Sequence, residues 1–398
     1  MIYNASLFAQ ILSFIPKNDF DQIVQSYKGN RYTKNFSCWH QLVSMIFCQL
    51  GQAHSIREIC GGLATCVGKL NHLGMKASPK RSTLAKANET RSWEMFRDLF
   101  YRILSRAQNE FQGKHKFRFK NKLYSLDSSV IDLCASLFDW AKFRRTKGAV
   151  KLHMLLDHDG YLPSYALITE GKTHDITVAR LLQMAPGSII AMDRAYVDFD
   201  LFAKWTTNKI FFVTRMKENL LYEITKFLPV RKGSNILFDC EIQLTSDKAR
   251  KSCPFPLRLV VVWDPKKKRF LRILTNQWTF AATTIAQIYK ERWQIEIFFK
   301  MLKQNLKIKT FVGTSANALK IQIWTALIVI LLLKIMQFRS TLNWSLSNLI
   351  ALLRMNLFTY RNLHHWLDDP FQTPAKPPDN LQLTFGDLFT GQHPGGSK

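Results

Sequence analysis

The sequence predicts an α/β fold: a mixed sheet carrying a β-rich insertion, preceded by an all-α region. Three observations carry this prediction. Apolar residues recur at helical spacing from residue 1 to about 110. Short apolar strands with intervening helical stretches follow from about 122. Strand signals without helices fill about 217 to 280. With 398 residues the chain is too long for one ordinary core, so two or three domains are expected.

The helical region (residues 1–110) rests on LFAQILSFI, HQLVSMIFCQL and WEMFRDLFYRIL. Within it, SPKRSTLAKANETR breaks at Pro79, and Ser82 or Thr83 can cap a short helix decorated by Lys80, Arg81, Lys86 and Arg91. This helix reads equally as a DNA contact and as a solvated helix start. Next, GKHKFRFKNK alternates Lys114, Lys116, Arg118, Lys120 and Lys122, which share one face of an extended chain. Such an edge either resists sheet aggregation or tracks a phosphate backbone.

From residue 122, KLYSLDSSVI, VKLHMLLDHDG and PSYALITEG read as strands, then DITVARLLQM as helix, SIIAMD as strand, VDFDLFAKW as helix and KIFFVTRM as strand. This order matches the ribonuclease H-like core with a mixed sheet. In the insertion, LRLVVVWDPKKKRFLRILTN reads as two strands around the DPKKK turn. Long helices are expected over 282–304, roughly 316–338 and near 343–366. The sheet-bearing unit spans 120–338, and 339–398 holds a C-terminal helix and a Pro-rich tail. The apolar run IQIWTALIVILLLKIM contains Gln322 and Lys334, and its uninterrupted part falls short of the ~20 residues that span a bilayer. It reads as a buried core helix.

The composition, 47% hydrophobic and 21% charged, excludes a disordered chain. The net charge of +27 points to a polyanionic partner, nucleic acid first and an anionic membrane surface second. Seven cysteines, an odd number without a CxxC pair, read as reduced core thiols of a cytoplasmic protein. The N-terminus lacks the basic start and cleavage site of a signal peptide.

Phosphodiester chemistry with two metal ions needs carboxylates converging from separate elements. Asp127 closes the apolar run KLYSL, and Asp193 closes SIIAM and precedes Arg194. Both sit where a core strand reaches the sheet edge, where active groups of open α/β sheets gather. Asp157 and Asp159 lie in the hairpin signal DHDG, Asp132 has no site signal, and Asp175 looks like a helix N-cap; these four read as structural.

In YKERWQIEIFFKMLK, at about 100° per residue, Tyr289, Arg292, Glu296 and Lys303 share an arc of about 60°. Apolar residues fill nearly all the rest of the circle, which inverts an ordinary surface helix. The narrow polar seam is either a self-satisfied ion network, since Arg292 and Glu296 are four apart, or the lining of a groove that holds ions and phosphate. The two upstream aspartates, the overall charge and the cations of AKFRRTKGAVK favour the groove.

The spacing Tyr289, Arg292, Glu296, Lys303 resembles the YREK signature of bacterial DDE transposases of the insertion sequence 4 family. SLDSSVI and IAMDRAYVDFDLF resemble the family's first and second aspartate blocks, and GAVKLHMLLD and TEGKTHD look like further family segments. The resemblance covers about residues 120–335, and the helical region 1–110 resembles, with less specificity, the N-terminal DNA-binding domains attached to some members. It implies a ribonuclease H-like core with a β-strand insertion, which the 102 residues between Asp193 and Glu296 can hold. It implies Asp127, Asp193 and Glu296 as a catalytic triad for two Mg²⁺ ions, with Mn²⁺ able to substitute. Tyr289, Arg292 and Lys303 would contact phosphate, Arg by a bidentate fork and Lys as a point charge. Arg194, Arg144, Arg145, Lys147, Lys80 and Arg81 are the further DNA-binding candidates. The implied partners are transposon ends and target DNA, bound by a homodimer, and the implied reaction is DNA cleavage followed by strand transfer. Some members form hairpins and hold a flipped base against an aromatic ring; Trp263 and Trp278 lie in or near the insertion, but neither matches that position and each reads as a core tryptophan. A non-catalytic DNA-binding protein or repressor derived from a transposase is the alternative reading.

Overall fold

The structure is a computed structural model that describes residues 5–372 apart from 67, 112–115, 135, 145, 146 and 309. The chain begins with six helices, α1 (Leu7–Leu12), α2 (Lys17–Ser26), α3 (Cys38–Leu50), α4 (Ile56–Ala64), α5 (Arg81–Thr90) and α6 (Glu94–Phe111). Then come β1 (Leu123–Cys134), β2 (Lys142–Arg144), β3 (Lys147–Asp157), β4 (Leu162–Glu170), α7 (Asp175–Ala179), β5 (Ile189–Met192), α8 (Phe199–Thr207) and β6 (Phe211–Arg215). The insertion holds β7 (Tyr222–Phe227), β8 (Ile236–Leu244), α9 (Asp247–Ser252), β9 (Leu257–Asp264) and β10 (Arg269–Thr275). The chain closes with α10 (Ala282–Glu291), α11 (Gln294–Asn305), α12 (Ala316–Arg339), α13 (Leu346–Asn356) and α14 (Leu363–Asp368).

The described strands form a ten-stranded sheet in the order β2-β3-β1-β5-β6-β10-β9-β8-β7, with β4 also on β3. The β1–β5 and β5–β6 pairs are parallel and the others antiparallel, so the sheet is mixed as the sequence predicts. The insertion is not a separate sheet: β10 pairs with β6 and carries the core sheet onward through the hairpin Asp264↔Arg269. Nor is it free of helix, since Ser246 caps the short α9 through its side chain.

One apolar core joins α1–α6 to one face of β1, β3 and β4 and to α11–α14. The opposite face packs on α8 and α9, and a third cluster lies under α10. Helix α12 runs through the middle of the first core. It is long and apolar enough to cross a membrane by composition, yet most of it is covered by the rest of the molecule. Two buried glutamines pin it: Gln322 Nε2 donates to the carbonyls of Lys307 and Thr310, and Gln49 Nε2 donates to the Gln322 carbonyl. These bonds satisfy amides that burial would otherwise penalise.

Several local expectations change. All seven cysteines are free, but Cys134 is exposed and therefore not a core thiol. The predicted helix 282–304 is two helices, and the one near 343–366 is also two. The N-cap of α5 is Lys80, without a side-chain bond, not Ser82 or Thr83. Arg91 leaves the solvent face and donates to Gln41 Oε1 at 3.2 Å. In the basic alternation, Phe117, Phe119 and Phe280 stack, so Lys116, Arg118 and Lys120 face outward, although residues 116–119 are bends and not a strand. Lys122 departs from that edge and pairs with Asp157 at 3.2 Å and with Asp159, which gives both acids of DHDG the structural role expected of them. Lys114 and most of the Pro-rich tail lie outside the described residues.

Candidate active site

The parallel pairing of β1 with β5 ends at Leu126 opposite Met192. The next residues are Asp127, within β1, and Asp193, the first residue past β5, so the register brings the two acids to the same level of the sheet, roughly one strand spacing (about 5 Å) apart. Beyond this point β1 continues along β3 to Cys134, while the chain after β5 turns away through the single turn Arg194–Tyr196. Asp127 therefore lies inside a strand, not at its end. The mouth opens because its parallel partner leaves.

The helix that supplies Glu296 is broken beside it. The amides of Ile295 and Glu296 bond back to the carbonyls of Arg292 and Trp293, a tightened turn between α10 and α11. This turn shifts the helical face. Ile295, Phe298, Phe299 and Leu302 are buried against the sheet, but Trp293 is 52% and Ile297 47% exposed. The apolar circle read from the sequence is therefore half open to solvent, and the polar seam runs along its edge.

Arg292 ties the acids together. Its Nη2 donates to Glu296 Oε1 at 2.7 Å, and its Nη1 lies 3.7 Å from Asp127 Oδ2. The guanidinium is mostly buried, and its Nε has no partner among the described residues. Asp127 also accepts the Ser128 N–H at 2.8 Å. Burial pushes the Asp127 carboxyl up to about 6; the Ser128 amide and Arg292 oppose the rise, and the charges of Glu296 and Asp193 add to it. Asp193 accepts the Arg194 N–H at 2.6 Å.

Two clefts flank this arginine. One, of about 430 Å³, is lined by Asp127, Ser128, Ser129, Glu296, Lys300 and Lys303. Lys303 donates to the Val130 carbonyl at 2.7 Å, which anchors its ammonium at the cleft rim. The other, of about 690 Å³, is lined by Asp193, Tyr289, Arg292, Trp263 and Trp293, with Lys267 of the DPKKK turn reaching over Trp293. Neither Trp263 nor Trp278 is a core residue: Trp263 is half-buried in this cleft and Trp278 is 38% exposed.

Other expected residues lie elsewhere. Arg194 pairs with Glu218 at 3.2 Å on the surface. Lys80 and Arg81 are exposed on α5, which packs against α3, α4 and α12, not against the cleft. Arg145 and the side chains of Arg144 and Lys147 lie outside the described residues.

Asp175 does not cap α7; His174 holds the cap position. The Asp175 carboxylate turns instead under β1 and accepts from Ser128 Oγ at 2.6 Å. Burial pushes the nearby His153 imidazole down to about 4 and keeps it neutral. The sequence held a usable signal here. On β1, Ser128 must face opposite to Asp127, and an acid at the end of β4 can reach that face.

Among the described residues, no three His, Cys, Asp or Glu side chains converge closely enough to hold an ion. Arg292 stands between two of the three acids. The donors nevertheless suit a hard divalent cation: all are carboxylates, and Asp127 and Glu296 already share one positive group.

A family model described as "Transposase DDE domain" matches residues 118–332, and one described as a domain of unknown function (DUF4372) matches residues 3–76. "Putative transposase y4zB" of Sinorhizobium fredii is 31% identical over 283 residues, 70% of this chain and 78% of that protein. "Probable transposase for insertion sequence element IS5377" of Geobacillus stearothermophilus is 29% identical over 269 residues, 67% of this chain and 70% of that one. "Putative transposase for insertion sequence element IS4SA" of Synechocystis is 24% identical over 294 residues, covering 72% and 80%. With the family match spanning more than half of the chain, and a fold that sets an aspartate and a glutamate about one arginine, this chain belongs to the transposase DDE domain family.

Proposed function

We propose that this chain binds the terminal inverted repeats of its own insertion sequence, cuts DNA there and joins the freed end to target DNA. One observation carries the reading. Three separate elements, β1, the turn after β5 and α11, deliver Asp127, Asp193 and Glu296 to one mouth of the sheet, with Arg292 linking two of them. Asp127, Asp193 and Glu296 would hold two Mg²⁺ ions. When bound, such ions polarise the phosphate and lower the pKa of attacking water.

The chain's own residues do the rest. Arg292 neutralises Asp127 and Glu296 in the free protein and, with Tyr289, offers a fork for a phosphate in the cleft that holds Asp193. Lys303, fixed through the Val130 carbonyl, sets a point charge at the rim of the neighbouring cleft. The cleft between Trp263 and Trp293 has the size and the aromatic walls to hold an unstacked base. A homodimer on paired ends completes this reading.

The Arg292 bridge also favours a second reading, in which the acids are spent on an inert ion network and the chain only binds DNA. Glu296→Gln separates the two. It is expected to abolish Mg²⁺-dependent nicking of a plasmid carrying the gene and its flanking DNA, while a gel-shift assay shows binding retained. Nicking at the parent rate by this variant would remove Glu296 from the reaction. A parent protein that binds but never nicks would support the second reading.

A further inference from the structure

Beneath Asp127, on the opposite face of β1, lies a partly buried polar cluster. Ser128 is its hinge. Its N–H donates to Asp127 Oδ1 at 2.8 Å, and its Oγ donates to Asp175 Oδ1 at 2.6 Å. The same Asp175 oxygen lies 3.3 Å from Lys151 Nζ and 3.5 Å from His153 Nδ1. Lys151 also donates to the Thr173 carbonyl at 2.8 Å, and His153 Nε2 meets Thr169 Oγ1 at 2.9 Å, so both are locked in turn. Residues 128, 151 and 153 share one face of the β1–β3 ladder, because Ser128 pairs with His153 and Val130 with Lys151.

Tyr196 enters the same cluster from the turn that begins with Asp193. It is 1% exposed, and its hydroxyl lies against Ser128 without a hydrogen bond of good geometry among the described residues. A buried hydroxyl that is poorly paired costs stability.

We infer that Asp175, acting through Ser128 and facing Tyr196, is a positioning residue that holds Asp127 in the orientation a divalent cation needs. This inference rests on the reading above that Asp127 binds metal. The path is continuous: the Asp175 carboxylate holds the Ser128 hydroxyl on one face of β1, which pins this stretch of the strand, and the Ser128 amide on the same stretch holds one Asp127 oxygen. Outer partners of this kind orient the ligands that touch a metal, and their loss costs about 10–100-fold in metal affinity.

The test uses the full chain without DNA and titrates Mn²⁺ by calorimetry, alongside thermal unfolding in EDTA and plasmid nicking. Asp175→Asn and Ser128→Ala are each expected to weaken Mn²⁺ binding by about tenfold or more. The double variant should be no weaker than the worse single one, since the two act along one path. Tyr196→Phe should leave the metal-free melting temperature unchanged or higher while weakening Mn²⁺ binding. Should Asp175→Asn fail to fold, Ser128→Ala and Tyr196→Phe carry the comparison. Variants that melt earlier yet bind Mn²⁺ like the parent would reduce Asp175 to a structural residue and overturn the inference, leaving the proposed function intact. A parent chain that neither binds Mn²⁺ nor nicks DNA would overturn the proposed function, and the inference with it.

Discussion

Lys334 shows how a single residue in a core is tolerated. It sits on α12 among apolar side chains, its ammonium 5.8 Å from the centre of the Tyr161 ring. Burial pushes its ammonium down to about 8, whereas an unfolded lysine titrates near 10.4. Between these values the unfolded chain binds the proton more tightly, so this residue lets stability rise with pH across that window, and its penalty is complete below about 8. Lys334→Met is therefore expected to stabilise the fold at pH 7 by about 1–2 kcal/mol, allowing for partial exposure. The gain should shrink toward pH 10, which denaturant melts at both values would reveal. Asp127 shows the reverse case. Its carboxyl is raised by burial and by two acidic neighbours, yet an arginine and an amide keep it usable as a carboxylate near neutrality.

At the scale of elements, the joints carry the information. The end of α6 meets the turn between β3 and β4, where Gly160 has a φ of +72° and a Cβ built on it would lie 2.0 Å from the Phe111 ring. Both the backbone conformation and the lack of space require glycine. Gly160→Ala is expected to destabilise by about 2–4 kcal/mol, adding left-handed strain to a core displacement. A melting temperature within a degree or two of the parent would show that Phe111 can move aside freely. The joint between α10 and α11 is of a different kind. Its tightened turn aims Arg292 inward and Trp293 outward, which divides one helix face between two clefts.

At the scale of the whole molecule, charge and core make separate predictions. With a net charge of +27, the DNA affinity proposed above is expected to depend strongly on salt. Arg292→Ala and Lys303→Ala should each weaken binding and flatten the slope of log affinity against log salt by about one. An unchanged slope in filter-binding titrations would place both side chains off the phosphates. The first core, meanwhile, is shared: α12 packs against α3, α5 and α6 of the helical layer and against β4 of the sheet. A fragment that begins at residue 116 would expose much of an apolar 24-residue helix. It is expected to aggregate on expression, and a monomeric, cooperatively folding fragment would show that the sheet region closes its own core.

The sequence by itself determined the helical start, the mixed sheet, the place of Asp127 and Asp193 after separate apolar runs and the polar seam containing Glu296. These follow from periodicity and from where apolar runs stop, which are local properties of the chain. Only the tertiary structure decided how Arg292 divides its charge between Asp127 and Glu296, why Trp263 and Trp293 face a shared cleft, and why Asp175 serves β1 instead of capping its own helix. Each of these depends on which side chains from distant segments compete for one buried atom. That competition is settled by packing and desolvation across the whole molecule, not by spacing along the chain.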